Sequence, residues 1–287
     1  MGATTFAFSV VVSTLGRTQE LSRLLESLEQ QSLKDFEVVI VDQNDDDRLC
    51  DILSPRPWSF TLTHVHTPHQ RGVSRGRNVG WRRARGRVMV FADDDCWCAP
   101  WFLAKADTLL KATGADIVTG RAADETGRSI NARFETTAQS IDRKNVWTTS
   151  IEWMIFFRRG VLEALGGFDA TIGPGADTPW QASEGQEIIL RALSAGFHCY
   201  FDPSLYGFHA ELNVRSPDAA MLHKARGYSR GMGFVMRRHG FGLATAIYWI
   251  TRPSIAVVIH TILGNGSRVL YYLNVARGRL EGWCQTV

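Results

Sequence analysis

The chain has 287 residues, of which 45% are hydrophobic and 21% are charged, an ordinary composition for a folded protein. That length is enough for one sizeable catalytic domain with an appendage, and the composition excludes long-range disorder. Five cysteines, an odd number without a C-x-x-C pair, argue against a disulfide framework and a tetrahedral zinc site. The segment Met1–Ala7 has no basic stretch ahead of a long apolar run, so we expect no secretory signal and a cytoplasmic protein.

Charge is distributed unevenly along the chain. The net charge is +3, but residues 222–287 contain nine lysines and arginines and one acidic residue, Glu281. Residues 1–221 are mildly acidic as a consequence. Basic tails of this kind are typical of proteins that bind nucleic acid or anionic lipid, and the residues between the basic side chains must distinguish these partners.

The first half of the chain alternates strand and helix patterns, which predicts an α/β sheet with parallel strands. Near-continuous apolar runs predict buried strands, and leucines at helical spacing predict a helix that Thr18 can cap. The predicted strands are 6–13, 36–41, 60–65 and 87–92, and a further helix is predicted over 73–85. The last of these strands leads directly into Asp93-Asp94-Asp95.

After residue 100 the pattern is weaker. We predict strands at 115–119 and 147–157, a turn at 166–169 and a helix over 184–195. From residue 217 onward the pattern is helical, with breaks near Gly240 and at 264–266. The sequence therefore predicts a catalytic domain over residues 1–215 and a basic amphipathic helical module over residues 216–287.

Two predicted strands end in carboxylates, at Asp42 and at the Asp93–Asp95 run. In open α/β sheets, ligands bind beyond the carboxyl ends of the strands. In an extended segment alternate side chains share a side, which predicts that Asp93 and Asp95 point together while Asp94 points away. Two carboxylates on one side suit a hard divalent cation, Mn²⁺ or Mg²⁺, that also takes diphosphate oxygens. The alternative for the triplet alone is a solvated acidic turn.

The stretch 71–78 (RGVSRGRN) carries the opposite charge. Arginines at a glycine-containing helix start can hold phosphate through guanidinium groups and backbone donors, and the alternative is a basic surface helix. The stretch lacks the P-loop pattern, and the turn after the first strand, residues 13–17, lacks the glycine pattern of dinucleotide-binding proteins.

Seven segments in order resemble glycosyltransferase family 2, a large family of inverting enzymes with the GT-A fold. They are FSVVVSTLGR (8–17), FEVVIVDQND (36–45), RGVSRGRNVG (71–80), VMVFADDDC (88–96), GGFDATIGPG (166–175), SEGQEIILRAL (183–193) and YGFH (206–209). The segment 230–240 (RGMGFVMRRHG) further resembles the tail of bacterial members that build surface polysaccharides. The resemblance covers residues 6–210 and implies a mixed, mainly parallel sheet flanked by helices, followed by a C-terminal helical appendage.

The resemblance implies a binding site for a nucleoside diphosphate sugar, the donor. Thr14, Arg17 and Asp42 would line the nucleoside pocket, with Asp42 reading the base. Arg77 would contact the donor and help to hold the pocket together.

The resemblance also implies a site for the divalent cation. Asp93 would face the ribose or the metal, and Asp95 would be the main metal ligand. His209 would complete the diphosphate or metal site, although without the family a lone histidine there is an ordinary core or surface residue.

The catalytic base is the position at which this sequence departs from the family pattern. Family members commonly carry Glu-Asp-x-Asp where this chain has residues 184–187 (EGQE), so that Gly185 occupies the second place. Glu184 and Glu187 are three residues apart and face nearly the same way on a helix. We take Glu184 as the base and Glu187 as the reserve, and the alternative for Glu187 is a helix ion pair with Arg191.

These features predict a metal-dependent, inverting glycosyltransferase of the hexosyltransferase kind. The acceptor would be a hydroxyl of a glycan or a lipid-linked glycan, in polysaccharide or glycolipid assembly. Two other functions fit part of the pattern. One is a nucleotidyltransferase with the same sheet, although no glycine-rich triphosphate signature is present near the N-terminus. The other is a non-catalytic scaffold of this fold in a membrane assembly complex, which Gly185 favours.

The apolar stretch 241–263 decides between the partners of the basic tail. Arg252-Pro253 is expected to split it, and its longest uncharged piece, 254–259, is far shorter than the ~20 residues of a spanning helix. Basic helices beside apolar, aromatic ones are typical of a segment in a membrane interface, so we expect peripheral association with the anionic cytoplasmic face of the inner membrane. Nucleic acid is not expected, since no binding motif accompanies the arginines. The alternative is packing on the catalytic domain or on the second subunit of a homodimer.

Overall fold

The computed structural model describes residues 6–53, 57–212, 214 and 216–285. Two sequence predictions concern residues outside these ranges: the absence of a secretory signal depends on residues 1–5, and the predicted domain boundary falls at residue 215. The contacts group into two units, the first formed by Met1–Phe168 with Ile188–Glu211 and the second by Asp169–Glu187 with Leu212–Val287. The second unit therefore joins the C-terminal helices to a segment from the middle of the chain.

The described part of the first unit contains an eight-stranded sheet, in the order β3-β2-β1-β4-β7-β5-β8-β6. The strands are β1 (Phe6–Thr14), β2 (Phe36–Asp42), β3 (Thr61–His66), β4 (Gly86–Asp93), β5 (Ile117–Ala123), β6 (Gln139–Ser140), β7 (Ile155–Arg158) and β8 (Cys199–Phe208). β1 pairs in parallel with β2 and β4, β2 with β3, and β5 with β8. β7 is antiparallel to β4 and β5, and β6 is antiparallel to β8. This is the mixed, mainly parallel sheet that the sequence predicts.

Helices accompany the strands in the chain order that the sequence predicts for the first half. They are α1 (Gln19–Glu29), α2 (Cys50–Leu53), α3 (Val73–Arg83), α4 (Phe102–Thr113), α5 (Arg159–Leu165) and α6 (Glu184–Ser194). The leucines of α1 are buried, and every residue of β2 is buried, as expected for a strand covered on both faces. Thr18 precedes α1, but its side chain makes no capping hydrogen bond, so the predicted cap is wrong.

The predicted strand at 147–157 is wrong over most of its length. Glu152–Met154 form a 3₁₀ turn, and only Ile155–Arg158 form a strand. Trp153 and Met154 are nevertheless buried. The apolar pattern of this segment indicates that its side chains are buried, and a compact turn can bury them as well as a strand can. The sequence reading also missed α4 and β8.

The described part of the second unit contains three long helices, α7 (Ala219–Arg238), α8 (Leu243–Ile262) and α9 (Gly266–Trp283). The breaks between them fall where the sequence predicts. α7 and α9 approach very closely, because a Cβ on Gly282 would lie 2.1 Å from the carbonyl oxygen of Arg230. At the same contact, Glu281 accepts hydrogen bonds from three arginines, Arg226, Arg230 and Arg277. Backbone contact and a partly exposed cluster of paired charges thus hold the two helices together.

Pro253 lies inside α8, which continues through it, so the prediction that Arg252-Pro253 splits this segment is wrong. A proline lacks the N–H that would donate to the carbonyl four residues earlier, here that of Trp249. Nη1 of Arg279, on α9, donates to the Trp249 carbonyl instead. The helix continues because the neighbouring helix replaces the missing donor.

Three contacts join the segment 169–187 to the C-terminal end of α7 and the residue after it. They are an aromatic stack, an ion pair and a close approach of a histidine to a glutamate. The pairs are Trp180 with Phe234, Asp169 with Arg238, and Glu187 with His239. The stacked rings are nearly parallel, at 3°, with centroids 4.4 Å apart. The segment that carries Glu184 and Glu187 therefore packs with the C-terminal helices as one unit.

Candidate active site

The carboxyl ends of three neighbouring strands form one edge of the sheet. The strand register pairs Thr14 with Asp42, and Ser13 with Asp93. The last residues of β1, β2 and β4 therefore lie side by side, at the edge where open α/β sheets bind ligands. β4 ends at Asp93, and Asp94 and Asp95 belong to the turn that follows.

Asp94 and Asp95 both contact Arg17. Thr14 Oγ1 donates to Oδ2 of Asp94 at 2.7 Å, and the Arg17 guanidinium pairs with Asp94 and, at 2.7 Å, with Oδ2 of Asp95. The prediction that Asp94 points away is wrong, because the alternation of an extended chain ends with the strand at Asp93. Burial raises the pKa of Asp94, and the opposing contacts with Arg17 and Thr14 offset this only in part.

The end of β8 brings His209 next to the aspartate triplet. Trp97 and Phe208 exchange backbone hydrogen bonds of 3.0 and 2.8 Å. The next residue, His209, places Nε2 3.1 Å from Oδ1 of Asp95. Burial is the largest single influence and would lower the pKa of His209, but the hydrogen bonds to Asp95 and to the Ala210 carbonyl, together with the charges of Asp95 and Asp93, raise the pKa overall. Burial alone would raise the pKa of Asp95, but His209 and Arg17 outweigh it and lower the pKa.

The structure brings together two of the three predicted metal ligands, Asp95 and His209. Asp93 accepts a hydrogen bond from Nη2 of Arg77 at 2.9 Å. Within the described ranges, no three His, Cys, Asp or Glu side chains converge as a metal-binding group. Magnesium-type cations, however, are commonly held by one or two protein ligands together with phosphate oxygens. The pair Asp95 and His209 fits a cation that also binds the diphosphate of a donor.

Arg77 is positioned by a close approach of α3 to β1. A Cβ on Gly76 would lie 2.0 Å from Oγ of Ser13, so only glycine allows this approach. Gly76 therefore serves helix–strand packing, whereas the sequence suggested a role at phosphate. The Arg77 side chain is buried, with its guanidinium 5.4 Å from the ring centroid of Phe168 and bonded to Asp93.

Asp42, the residue expected to read the base, is 1% exposed and already hydrogen-bonded. Its Oδ1 accepts from the backbone and side chain of Asn44 at 2.9 and 2.7 Å, and its Oδ2 lies 3.0 Å from Nε2 of His64. Asn44 in turn accepts from the Gly16 N–H at 2.7 Å. The sequence reading missed His64 and Asn44. The available signal was the spacing of His64, inside the predicted third strand, and His66, just after it, since residues two apart lie on the same side of an extended chain.

The two candidate base residues lie in the second unit, in the first turn of α6. Glu184 is 3% exposed and Glu187 is fully buried. Ser183, which precedes α6, has φ 76, a left-handed conformation that is strained for a residue other than glycine. Such strain concentrates at functional sites. Arg191, the alternative partner of Glu187, donates to two backbone carbonyl oxygens of the first unit.

The same segments that form this edge match a family model. The model is described as glycosyl transferase family 2, and it matches residues 9–166, more than half of the chain. The chain belongs to glycosyl transferase family 2. The resemblance drawn from the ordered segments is thereby confirmed.

Two relatives illustrate how much of each chain the sequence similarity covers. Glycosyltransferase AglE of Haloferax volcanii is 24% identical over 214 residues, which cover 70% of this chain and 66% of AglE. A PGL/p-HBAD biosynthesis glycosyltransferase of Mycobacterium tuberculosis is 29% identical over 167 residues, which cover 56% of this chain and 63% of the relative. In both cases the chain spans less than two thirds of the relative's length.

A solved structure shows the fold. The mannosyltransferase PcManGT from Pyrobaculum calidifontis, in complex with GDP-Man and Mn²⁺, superposes with a TM-score of 0.68 at 16% identity, covering 96% of this chain and 87% of PcManGT. This family 2 chain has the GT-A fold, as the sequence predicts.

Proposed function

We propose that the chain is an inverting, metal-dependent glycosyltransferase that moves a sugar from a nucleoside diphosphate sugar to an acceptor hydroxyl. The observation that carries the proposal is the edge where β1, β2 and β4 end and where Asp95 and His209 pair beside Arg17. Family membership supports sugar transfer. The GDP-Man and Mn²⁺ in the PcManGT structure support a nucleotide-sugar donor and a divalent cation.

Different residues of this edge would bind different parts of the donor. Thr14 and Asp42 would bind the nucleoside end. Arg17, which the sequence assigns to the nucleoside pocket, lies against Asp95 and would reach the diphosphate as well, since arginine suits phosphate oxygens and opposes the negative charge that develops as the diphosphate leaves. The buried Arg77 would help to hold the pocket together through its hydrogen bond to Asp93. A divalent cation held by Asp95 and His209 would neutralise the same charge as a Lewis acid when bound.

Glu184 would act as the base. It would take the proton from the acceptor hydroxyl, whose oxygen attacks the anomeric carbon from the face opposite the diphosphate. The bond to the diphosphate breaks as the glycosidic bond forms, so the configuration at this carbon inverts. Glu184 lies in the first turn of α6. The strained backbone at Ser183 supports a functional role for this turn.

The acceptor in this proposal is a glycan or a lipid-linked glycan, in polysaccharide or glycolipid assembly. The mycobacterial relative is named a PGL/p-HBAD biosynthesis glycosyltransferase, which supports a role in a biosynthetic assembly. The basic C-terminal helices support a lipid-linked acceptor, because they would keep the protein near an anionic surface.

Donor binding tests the proposal directly. Calorimetric titration with uridine, guanosine and thymidine diphosphate sugars should show one preferred nucleotide and roughly tenfold or more tighter binding with Mn²⁺. Asp95→Asn and His209→Ala should lose this dependence on the cation. The control, Glu163→Gln, changes an exposed carboxylate on α5 and should keep it. Absence of binding to every nucleotide sugar, or affinities that ignore the cation, would contradict the proposal.

A further inference from the structure

α8 exposes an apolar face that no described residue covers. None of the exposed residues of α8 is charged. The large apolar side chains on this face are 49–80% exposed, and they include Leu243, Ile247, Ile255, Val258, Ile259 and Ile262. The opposite face, which carries Ala246, Trp249 and Pro253, is buried. The helix is therefore packed on one side and open on the other.

The length of α8 suits contact with a bilayer. Among the described helices, Leu243–Ile262 is the one whose length and composition would allow it to cross a membrane. Only 11% of its apolar 18-residue stretch is buried. Arg252, however, lies near its middle, and a charge at the bilayer centre is strongly unfavourable. Arg252 is half-buried, with its guanidinium 5.1 Å from the ring of Trp249. A helix lying in the interface keeps this arginine among headgroups while its apolar face reaches the acyl chains.

The positive charge of the C-terminal helices favours an anionic bilayer, rather than a second copy of the chain, as the partner of this apolar face. Residues 222–287 contain nine basic residues and one acidic residue. Two such surfaces face to face would repel each other, whereas an anionic bilayer carries the complementary charge. A tyrosine, which favours headgroup depth, is also available, because Tyr248 on α8 is 56% exposed.

We propose that α8 docks the protein on the interface of an anionic bilayer and lies parallel to the membrane plane. Its exposed apolar face enters the lipid, and Arg252 and Arg268 contact the headgroups. This attachment does not rest on the proposed reaction, so the two can fail independently.

Flotation of the full chain with vesicles tests the docking. The protein should float with vesicles of equal parts phosphatidylcholine and phosphatidylglycerol, stay behind with phosphatidylcholine alone, and be released by high salt. The double variant Ile255→Lys with Ile262→Lys should lose flotation although it adds positive charge, because both side chains belong to the open apolar face. Arg252→Gln with Arg268→Gln should weaken partitioning about fivefold per arginine.

A matched control removes two exposed basic residues of the first unit, Arg83→Gln with Lys144→Gln, and should float like the parent protein. Circular dichroism melting checks that each variant is folded. Three results would overturn the proposal. One is equal flotation with neutral and anionic vesicles. Another is retention after alkaline carbonate extraction, which would indicate a spanning helix. The third is a dimer in light scattering that Ile255→Lys with Ile262→Lys splits while flotation is kept.

Discussion

This chain has Gly185 where the family pattern commonly places an aspartate. Glu184 and Glu187 are therefore the candidates for the residue that accepts the proton in the proposed reaction. Glu184→Gln keeps the size of the side chain and removes its ability to take a proton. We expect transfer to fall by roughly 10² to 10⁴, the usual contribution of a general base, while donor affinity changes little. Product formation under saturating donor and calorimetric donor binding measure the two effects. Near-parent turnover would exclude Glu184 and direct attention to Glu187→Gln.

The substitution Gly185→Asp separates an active enzyme from a scaffold. If Glu184 is the base, the parent protein transfers sugar and Gly185→Asp raises turnover by no more than a few fold. A parent protein that binds donor but gains transfer only with Gly185→Asp would identify a scaffold that has lost its base. This second outcome would contradict the role proposed for Glu184 while leaving the donor site intact.

The residues at strand ends could be predicted from the sequence, whereas their contacts could not. Asp42 and Asp93 follow buried apolar runs, and parallel pairing brings the ends of such runs together. The contact of Asp94 with Arg17 depends on a turn in which strand alternation no longer holds. The contact of Asp42 with His64 depends on the register between β2 and β3. No local pattern encodes that register.

At the scale of a single helix, the continuity of α8 depends on Arg279. Arg279→Leu removes the donor that replaces the missing N–H of Pro253, and losing a buried hydrogen bond of this kind costs about 1–3 kcal/mol. Pro253→Ala restores a backbone N–H to the same carbonyl, so Arg279→Leu should be less costly in that background. Denaturant unfolding of the two single variants and the double variant gives the coupling free energy, which we expect to reach about 1 kcal/mol. Purely additive effects would show that the two residues act independently.

Glu281 makes the packing of α7 on α9 dependent on pH. Hydrogen bonds from Arg226, then those from Arg230 and Arg277, outweigh partial burial and lower the pKa of Glu281 from 4.5 to about 2. Because the folded pKa is the lower one, this stabilisation is present above pH 4.5 and is lost as the pH falls toward 2. Glu281→Gln should destabilise the unit by about 1 kcal/mol at neutral pH, since these groups are partly exposed.

Thermal unfolding followed by circular dichroism measures this difference across the acidic range. The gap in melting temperature between the parent and Glu281→Gln should close as the pH falls below 4.5. Glu163→Gln, which changes an exposed glutamate on α5, is the control and should produce little change at neutral pH. A gap that persists unchanged to the acid limit would argue that the side-chain amide disturbs packing and that charge pairing is not the cause.

Elements with a strong local pattern could be predicted, and those decided by a neighbouring element could not. Apolar runs predict the buried strands, and the spacing of the leucines predicts α1. Pro253 is locally a helix breaker, but a side chain from α9 overrides it. The apolar residues near Trp153 correctly predict that this segment is buried, but they wrongly predict that it is a strand. Tertiary packing, rather than local preference, determines the compact turn there.

At the scale of the molecule, the segment 169–187 belongs with the C-terminal helices although Ile188–Glu211, which belong to the first unit, lie between them along the chain. The predicted division into 1–215 and 216–287 treats the helices as an appendage. That division stays a prediction, and within the second unit the contacts make the helices the support of the turn that carries Glu184. Sequence periodicity cannot reveal this arrangement, because stacking and ion pairing between distant segments leave no local pattern.

Phe234→Ala tests this support. The ring stacks on Trp180, and removing a buried aromatic ring costs about 3–5 kcal/mol. We expect amide hydrogen exchange in 169–187 to become roughly 100-fold faster, because the segment opens more readily when its packing partner is lost. Since Glu184 lies in this segment, kcat should fall. Donor affinity should stay near the parent value, because the donor residues belong to the first unit. Tyr248→Ala removes an exposed ring from α8 and should change neither exchange nor turnover. Faster exchange with unchanged kcat would show that the helices stabilise the segment without positioning the base.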